Sequence, residues 1–317
     1  MRIDYHRTLI ADTVRNEAFF AALKAVIKPG VTTVADIGAG TGLLGLMAHK
    51  LGAKSVTLYE TAAVGAVAQS ILKANRAKGC TLIPCHSTEM IDPPRVDVIV
   101  SETLGNYAFE ENIIDTLNDA RSRHLKPGGV MIPARVTQIA CPAVTPRIHH
   151  ELTAWDRVGP GLALANLDLT FARTMSLNNA YVRSLEPREL LDSGKAAATI
   201  DTADFSKPQK STRKGEARWT LAKDQTIYGF AVWWVADLGP GLTLSTGPGA
   251  PRTHWEQLYF PLLEPIETTA GESLAFTLRS RSSEAAGTHL AWTATHFDNK
   301  ARERARQSMD LDKGYLP

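Results

Sequence analysis

Apolar residues recur in two different rhythms along this chain. Up to about Pro133, short apolar runs alternate with stretches of helical period. Val31 to Ile37 is an apolar run that ends in glycines, and Gly42 to Leu51 reads as a helix. Ser55 to Tyr59 is a second strand, and Ala62 to Ala77 a second helix that stops near Gly79. Thr81 to Pro84 is a third strand and Val96 to Val100 a fourth. Asn112 to His124 predicts a further helix, closed by Lys126-Pro127-Gly128-Gly129 ahead of a strand over Val130 to Ile132. This rhythm predicts an α/β Rossmann-like parallel sheet with helices on both faces. Sheets of that kind take ligands at the carboxyl ends of their strands.

Past Pro133 the period drops to two. Arg135 to Ala143, Ala217 to Leu221, Thr226 to Val235, Leu258 to Leu263, Ser273 to Leu278 and Leu290 to Thr295 read as strands separated by turn residues. They predict an antiparallel β-barrel domain over residues 134–317, after a first domain over 1–133. Residues 155–191 show little strand character and read as an excursion from the barrel. The basic tail from Asn299 to Arg306 reads as a solvated end, and Trp233, Trp234 and Trp292 as barrel core.

Composition narrows the picture only slightly. The 35 basic and 33 acidic residues leave a net charge of +2, so no broad field draws in nucleic acid or a membrane surface. Cys80, Cys85 and Cys141 form no CxxC pair, and an odd count does not suggest a disulfide framework. The first residues lack the apolar stretch of a signal peptide, and no run is long enough for a membrane span. A cytoplasmic location is the expectation.

Chemistry enters at Asp36-Ile37-Gly38-Ala39-Gly40-Thr41-Gly42, between a strand and a helix. Glycines let the backbone turn tightly and approach a ligand. The spacing differs from the dinucleotide GxGxxG, and the absence of a following GK[ST] weakens a pyrophosphate loop. Asp36 ahead of the loop fits methyltransferases better than dehydrogenases. Glu60 ends the next strand, placed to accept from both hydroxyls of a ribose. Glu89 follows the third strand, where a carboxylate can accept from an adenine amino group. After the fourth strand come Glu102 and, nine residues on, Glu111. If Gly105 turns the loop back, both face one cavity. Two carboxylates there are costly to desolvate unless a cation joins them, and a planar guanidinium with five donors fits such a pair. A solvated acidic loop is the other reading, and these residues alone leave the two open.

At this point the chain resembles the protein arginine methyltransferase family, over nearly its whole length. Glu102 and Glu111 stand at the separation of the family's double-glutamate hairpin. Arg252-Thr253-His254-Trp255-Glu256-Gln257 is similar to its Thr-His-Trp loop, and Leu9-Ile10-Ala11-Asp12-Thr13-Val14-Arg15 to the helix that closes over the cofactor. The resemblance implies S-adenosylmethionine as cofactor, held by His6, Arg15, Asp36, Gly38, Gly40, Gly42, Glu60 and Glu89. Within that set Arg15 meets the methionine carboxylate. It further implies Glu102, Glu111 and Trp255 around the substrate, an Asp12–His254 pair beside Glu111 as part of the catalytic set, no metal, and a homodimer through a dimerisation arm at 155–191. The implied acceptor is the guanidino group of an arginine in a protein or peptide. The family's Trp-Met after the first glutamate is here Thr103-Leu104, and its next tyrosine is Asn106. With five residues ahead of His6, the tyrosine-bearing first helix is expected to be missing or truncated. Free arginine or another small guanidine is the alternative acceptor, and a cofactor-binding scaffold without turnover the alternative of a different class.

Overall fold

The computed structural model describes residues 3–157 and 167–313. Two helices, α1 (Ile3–Ala11) and α2 (Thr13–Val26), precede β1 (Thr33–Ile37), α3 (Leu43–Lys50), β2 (Ser55–Tyr59), α4 (Gly65–Ala74) and β3 (Cys80–Ile83). Then come β4 (Val96–Ser101), α5 (Ile113–Asp119) and β5 (Leu125–Ile132). The five strands form one parallel sheet in the order β3-β2-β1-β4-β5. Its central strands are covered on both faces, so Val34, Ala35, Val98, Ile99 and Val100 are all buried and read as a continuous apolar run. The winding reverses between β1 and β4, which opens a crevice at their carboxyl ends.

The helix predicted over Asn112–His124 is realised as α5 and then a π-helical turn, Ala120–His124. The wider turn carries the fully buried His124, whose Nε2 lies 3.1 Å from the Ser87 carbonyl. Such turns are rare and concentrate at functional sites.

The remaining chain gives β6 (Arg135–Ala143), α6 (Arg147–Leu152), α7 (Thr170–Leu177), β7 (Tyr181–Arg183), β8 (Ala198–Asp204), β9 (Thr212–Thr220) and β10 (Gln225–Gly239). It ends with β11 (Leu242–Ser245), β12 (Gln257–Thr268), β13 (Ser273–Ser283), β14 (Gly287–Phe297) and β15 (Glu303–Asp310). All pair antiparallel, in two ladders: β7-β12-β10-β6-β8 with β11 beside β10, and β15-β14-β13-β9. Phe230 and Phe260 of the first meet Phe276 and Trp292 of the second, with Phe230 stacked on Phe276 at 4.3 Å and Phe260 edge-on to Trp292 at 5.0 Å. β8 and β9 run close together at the seam. There Gly215 is needed, because a Cβ would sit 2.9 Å from the Ile200 carbonyl oxygen.

Two expectations are refined. The basic tail is solvated, as its exposed residues show, but it is not irregular: from Glu303 it forms β15 along β14, and its arginines are met by acids, Arg302 by Asp298, Arg304 by Glu272 and Arg306 by Glu303. Its charges point to both faces of an edge strand, which hides the period. Nor is 155–191 wholly an excursion, since Tyr181–Arg183 joins β12. Leu162 and Leu164 lie outside the described residues. Among the described residues no helix is long and apolar enough to cross a membrane.

The Gly215 contact makes a direct prediction. Gly215→Ala should destabilise the protein by about 1–3 kcal/mol, since a backbone carbonyl cannot yield as a side chain can. Denaturant unfolding of both proteins measures this, and equal midpoints would mean that β8 and β9 do not approach as described.

Candidate active site

The crevice holds a cavity of about 270 Å³ whose wall draws on the loop after β1, the ends of β2 and β3 and the loop after β4, together with residues of α1 and α2, Thr116 of α5 and His254. After β1 the backbone enters the left-handed region at Gly38, Gly40 and Gly42, with φ of 70°, 55° and 80°. Gly38 also admits Thr103, whose Cγ2 lies 2.6 Å from where a Cβ would be. Gly42 is off the wall and starts α3 against Leu58.

Glu60 braces this loop. Its Oε2 accepts from the Gly40 N–H and its Oε1 from the Ala62 N–H, both at 2.7 Å. Asp36 accepts from the Gly45 N–H at 2.8 Å, and its complete burial pushes its pKa up to about 7. His6, on α1, packs against Gly40 from the opposite side, and burial holds its pKa down. Glu89 is not brought to the wall. It lies two residues beyond Ser87 in a short 3-10 turn, and its Oε2 accepts from the His86 N–H at 3.3 Å. Cys85, His86 and Ser87 occupy the wall where Glu89 was expected.

On the other side stand the paired glutamates, both lining the cavity. Arg15 Nε donates to Glu102 Oε2 at 2.6 Å, and its Nη2 pairs with the same oxygen. Glu102 Oε1 accepts from the Leu104 N–H at 3.2 Å. Burial raises the Glu102 pKa against the pull of Arg15. Glu111 keeps an exposed flank, yet its carboxyl is also pushed up, first by partial burial and then by Glu60. Glu111 and Asn112 both have left-handed backbones, φ 53° and 55°, a strained conformation for residues with a Cβ. Glu110 lies between these features and is pushed up by burial, while its Oε1 accepts from the Tyr107 N–H at 3.2 Å.

Asp12 caps α2 by accepting from the Arg15 N–H at 2.9 Å. Its other oxygen accepts from the His254 N–H at 2.8 Å and lies 2.7 Å from His254 Nδ1. Burial pushes Asp12 up, but these hydrogen bonds outweigh it and hold the pKa below the usual range. Burial also lowers His254 more than Asp12 raises it. The neutral imidazole therefore donates from Nδ1 to Asp12 and leaves a lone pair on Nε2. Among the described residues that Nε2 has no hydrogen-bond partner, and the same is true of His6 Nε2, Tyr59 Oη, Ser87 Oγ and Thr116 Oγ1, all from residues on this wall. Buried polar atoms of that kind call for a polar ligand.

Trp255 is off the cavity and buried: its Nε1 donates to the Leu104 carbonyl at 2.9 Å. Trp234 is more than core, since its Nε1 donates to the Gly105 carbonyl at 2.9 Å. The wall also includes Tyr5, whose ring meets His254 edge-on at 6.5 Å, so α1 does bring a tyrosine to this site. Tyr5, Ser87 and Thr116 escaped the sequence reading, although Ser87 sits in the loop after the third strand, where an adenine contact was sought. Four carboxylates, Asp36, Glu60, Glu102 and Glu111, face the cavity against one guanidinium, that of Arg15. The arrangement suits a cationic occupant.

Known proteins match on both halves of the chain. The model of the arginine methyltransferase oligomerization subdomain matches residues 140–300, and that of ribosomal protein L11 methyltransferase residues 18–147. An arginine N(omega)-methyltransferase of Streptomyces achromogenes subsp. streptozoticus is 29% identical over 285 residues, covering 86% of this chain and 75% of its own. Protein arginine N-methyltransferase 6 of Xenopus tropicalis is 28% identical, covering 84% and 80%. The fold is that of Arabidopsis thaliana protein arginine methyltransferase 10, with a TM-score of 0.80, 20% identity and 98% of each chain covered. A Trypanosoma brucei enzyme–prozyme heterotetramer solved with AdoHcy reaches 0.85 at 21% identity and the same coverage.

Asp36 generates a pH prediction. Its folded pKa of about 7 exceeds the ordinary aspartate value of 3.8, so between those values the folded protein holds a proton that the unfolded chain has lost. Its contribution to stability therefore falls as pH rises through this window and levels off above it. Compared with Asp36→Asn, the wild type should lose stability progressively from pH 5 to pH 7.5 in denaturant unfolding, by an amount on the order of a few kcal/mol. A difference independent of pH would mean that Asp36 is ionised throughout.

Proposed function

This chain belongs to the protein arginine methyltransferase family, and from that premise we propose that it transfers the methyl group of S-adenosylmethionine to a guanidino nitrogen of arginine in a protein or peptide. The observation that carries the reading is the meeting of Glu102, Glu111 and the Asp12-held His254 on one cavity wall. The wall fits the cofactor. Glu60 is available to ribose hydroxyls, and the unpartnered Ser87 and Thr116 hydroxyls to the adenine edge in place of Glu89. Arg15 is available to a carboxylate, and His6 and the glycine backbones close the methionine end.

S-adenosylmethionine supplies a methyl group made electrophilic by its sulfonium. The protein's part is to present the nitrogen in line, at near-attack distance. Arginine is a poor nucleophile, because its charge is spread over three nitrogens and its pKa exceeds ~12. Glu102 already shares its charge with Arg15, so Glu111 carries the larger unbalanced charge of the pair. Together they fix the guanidinium plane and draw its positive charge toward the nitrogens they touch, leaving lone-pair density on the one that reacts. Glu111 and the free Nε2 of His254 are the bases for the proton that the product sheds, with Asp12 stabilising the imidazolium.

A second acceptor, free arginine or a small guanidine, is favoured by one observation: the Streptomyces relative is named for arginine without the word protein. Thr103 and Asn106 depart from the family's hairpin in the same region. The arm at 155–191 supports a homodimer, since it overlaps a family model named for oligomerisation and exposes Trp155, Leu167 and Phe171. A cytoplasmic setting fits three unpaired cysteines.

Two measurements test this. Glu102→Gln and Glu111→Gln keep size while removing charge, so turnover should fall roughly a hundredfold to a thousandfold, the effect of about 2.7–4 kcal/mol of preorganised electrostatics. Cofactor affinity should hold in Glu111→Gln. Labelled-cofactor assays with an Arg-Gly-rich peptide, free arginine and a lysine peptide identify the acceptor. Near-normal turnover in both variants, or preference for a non-guanidine, overturns the reading, and cofactor binding without turnover on any guanidine favours the scaffold. For the arm, replacing Leu167 and Phe171 together with Glu should convert the dimer to monomer in sedimentation velocity; an unchanged dimer would move the interface elsewhere.

A further inference from the structure

The loop that carries Glu102 and Glu111 leaves the parallel sheet and ends up gripped by the antiparallel one. Phe109 is 1% exposed, and the Arg213 guanidinium lies over its ring at 4.9 Å from the centroid. Arg213, on β9, is itself held by Asp201 on β8, with Nε to Oδ2 at 2.5 Å and Nη2 to Oδ1 at 2.6 Å. Arg213 also donates to the Thr202 carbonyl at 2.8 Å, so its plane is set by three acceptors on β8. Tyr107, two residues before Phe109 and edge-on to it at 5.7 Å, donates from its hydroxyl to Ser280 Oγ at 2.7 Å. Ser280 on β13 is the register partner of Arg213. Two neighbouring positions of one sheet therefore receive the two rings of the loop.

Two residues past Phe109 the backbone turns left-handed at Glu111 and again at Asn112. Such a conformation persists only when the surroundings fix it. Downstream it is fixed by Ile113 and Ile114, both fully buried at the start of α5. Upstream the fixed point is Phe109. A chain held on both sides of two strained residues presents Glu111 in one orientation. Arg213 has no part in the cavity wall, and the β8–β9 pair that holds it lies beyond the loop.

We propose that Arg213, oriented by Asp201 and acting through Phe109, is a positioning residue for Glu111. The inference rests on Glu111 being an acceptor-clamping carboxylate. A planar cation on a ring is more than bulk: lysine can keep the charge opposite Asp201 but cannot stack its plane on Phe109. With Phe109 free to shift, Glu111 leaves the plane of the guanidinium. Cofactor contacts at the ends of β1, β2 and β3 and on α1 and α2 lie outside this loop, and Thr116 sits on α5 beyond the buried Ile113 and Ile114, so they do not change.

The test is a mutant cycle on the full chain with its best guanidine acceptor. Arg213→Lys should lower kcat by about tenfold to a hundredfold, the scale of an ångström-sized misplacement, with calorimetric cofactor affinity unchanged. The same substitution in a Glu111→Gln background should have almost no further effect, because the group it positions no longer carries charge. Phe109→Leu, which keeps an apolar filling, should show the same loss of effect in that background and serves where Arg213→Lys folds poorly. An equal fold-loss in both backgrounds, or a fall in cofactor affinity that matches the fall in kcat, overturns the proposal. If Glu111→Gln alone leaves turnover intact, the acceptor reading fails first, and the cycle separates that outcome from a failure of Arg213.

Discussion

Buried carboxylates without enough cations dominate this molecule. A charge moved out of water loses far more hydration energy than an ordinary hydrogen bond returns, so a fold keeps such groups only with partners or by protonating them. Each carboxylate here is handled differently. Glu60 takes two backbone N–H groups, Glu102 takes Arg15, and Asp36 takes one N–H and a pKa near 7. Glu111 has no such partner among the described residues and keeps a flank in water. The wall is left short of positive charge on the side where a cationic acceptor would complete it. The orphaned hydroxyls and imidazole nitrogens at other points of the wall repeat the argument for neutral groups.

Geometry at the acceptor loop comes from the second half of the chain. Its carbonyls at Leu104 and Gly105 are fixed by Trp255 and Trp234, Asn106 accepts from the Glu256 N–H, and its rings are received on β9 and β13. Indole N–H groups are rigid single donors, and two of them aimed at adjacent carbonyls leave the turn little freedom. A loop at the end of a parallel strand is usually free to vary. This one is held from outside its own sheet, which fixes the loop that carries Glu102 and Glu111 on the cavity wall.

Much of this was legible in the sequence because it depends on local chemistry. Strand β2 and strand β6 fall where the apolar runs put them, and glycine spacing gave the ligand loop. Glu102 and Glu111 do line one cavity, but Gly105 is not in the left-handed region; a Cβ there would overlap the Glu110 carboxylate, so its part is to leave room for that side chain. What escaped depends on partners distant in sequence. β15 is invisible because its exposed residues carry charge on both faces, with Arg304 met by the distant Glu272, the strands β7 and β11 have too few residues to show a period, and the buried residues of β8, Ile200 and Ala203, stand three apart. Glu89 carries the right chemistry two residues too late, since a single 3-10 turn decides which residue faces inward. Trp255 reads as a substrate wall from its motif, yet its indole N–H is drawn to a carbonyl some 150 residues away in sequence, and that sets it behind the site.

The longest of these connections joins residues 242 apart. Asp12 caps α2 with one oxygen and holds both the backbone and the ring of His254 with the other, so docking of the first helices and orientation of the imidazole are one event. Arg15, one turn into the capped helix, is delivered to Glu102 by the same event. α1 meanwhile lays His6 against Gly40 and Tyr5 against His254. Any displacement of these helices would therefore remove the cover over the glycine loop, the cation on Glu102 and the partner of His254 together. A binding site and an acceptor site that share such a cover are assembled together, which ties the reactive geometry to closure over the cofactor loop.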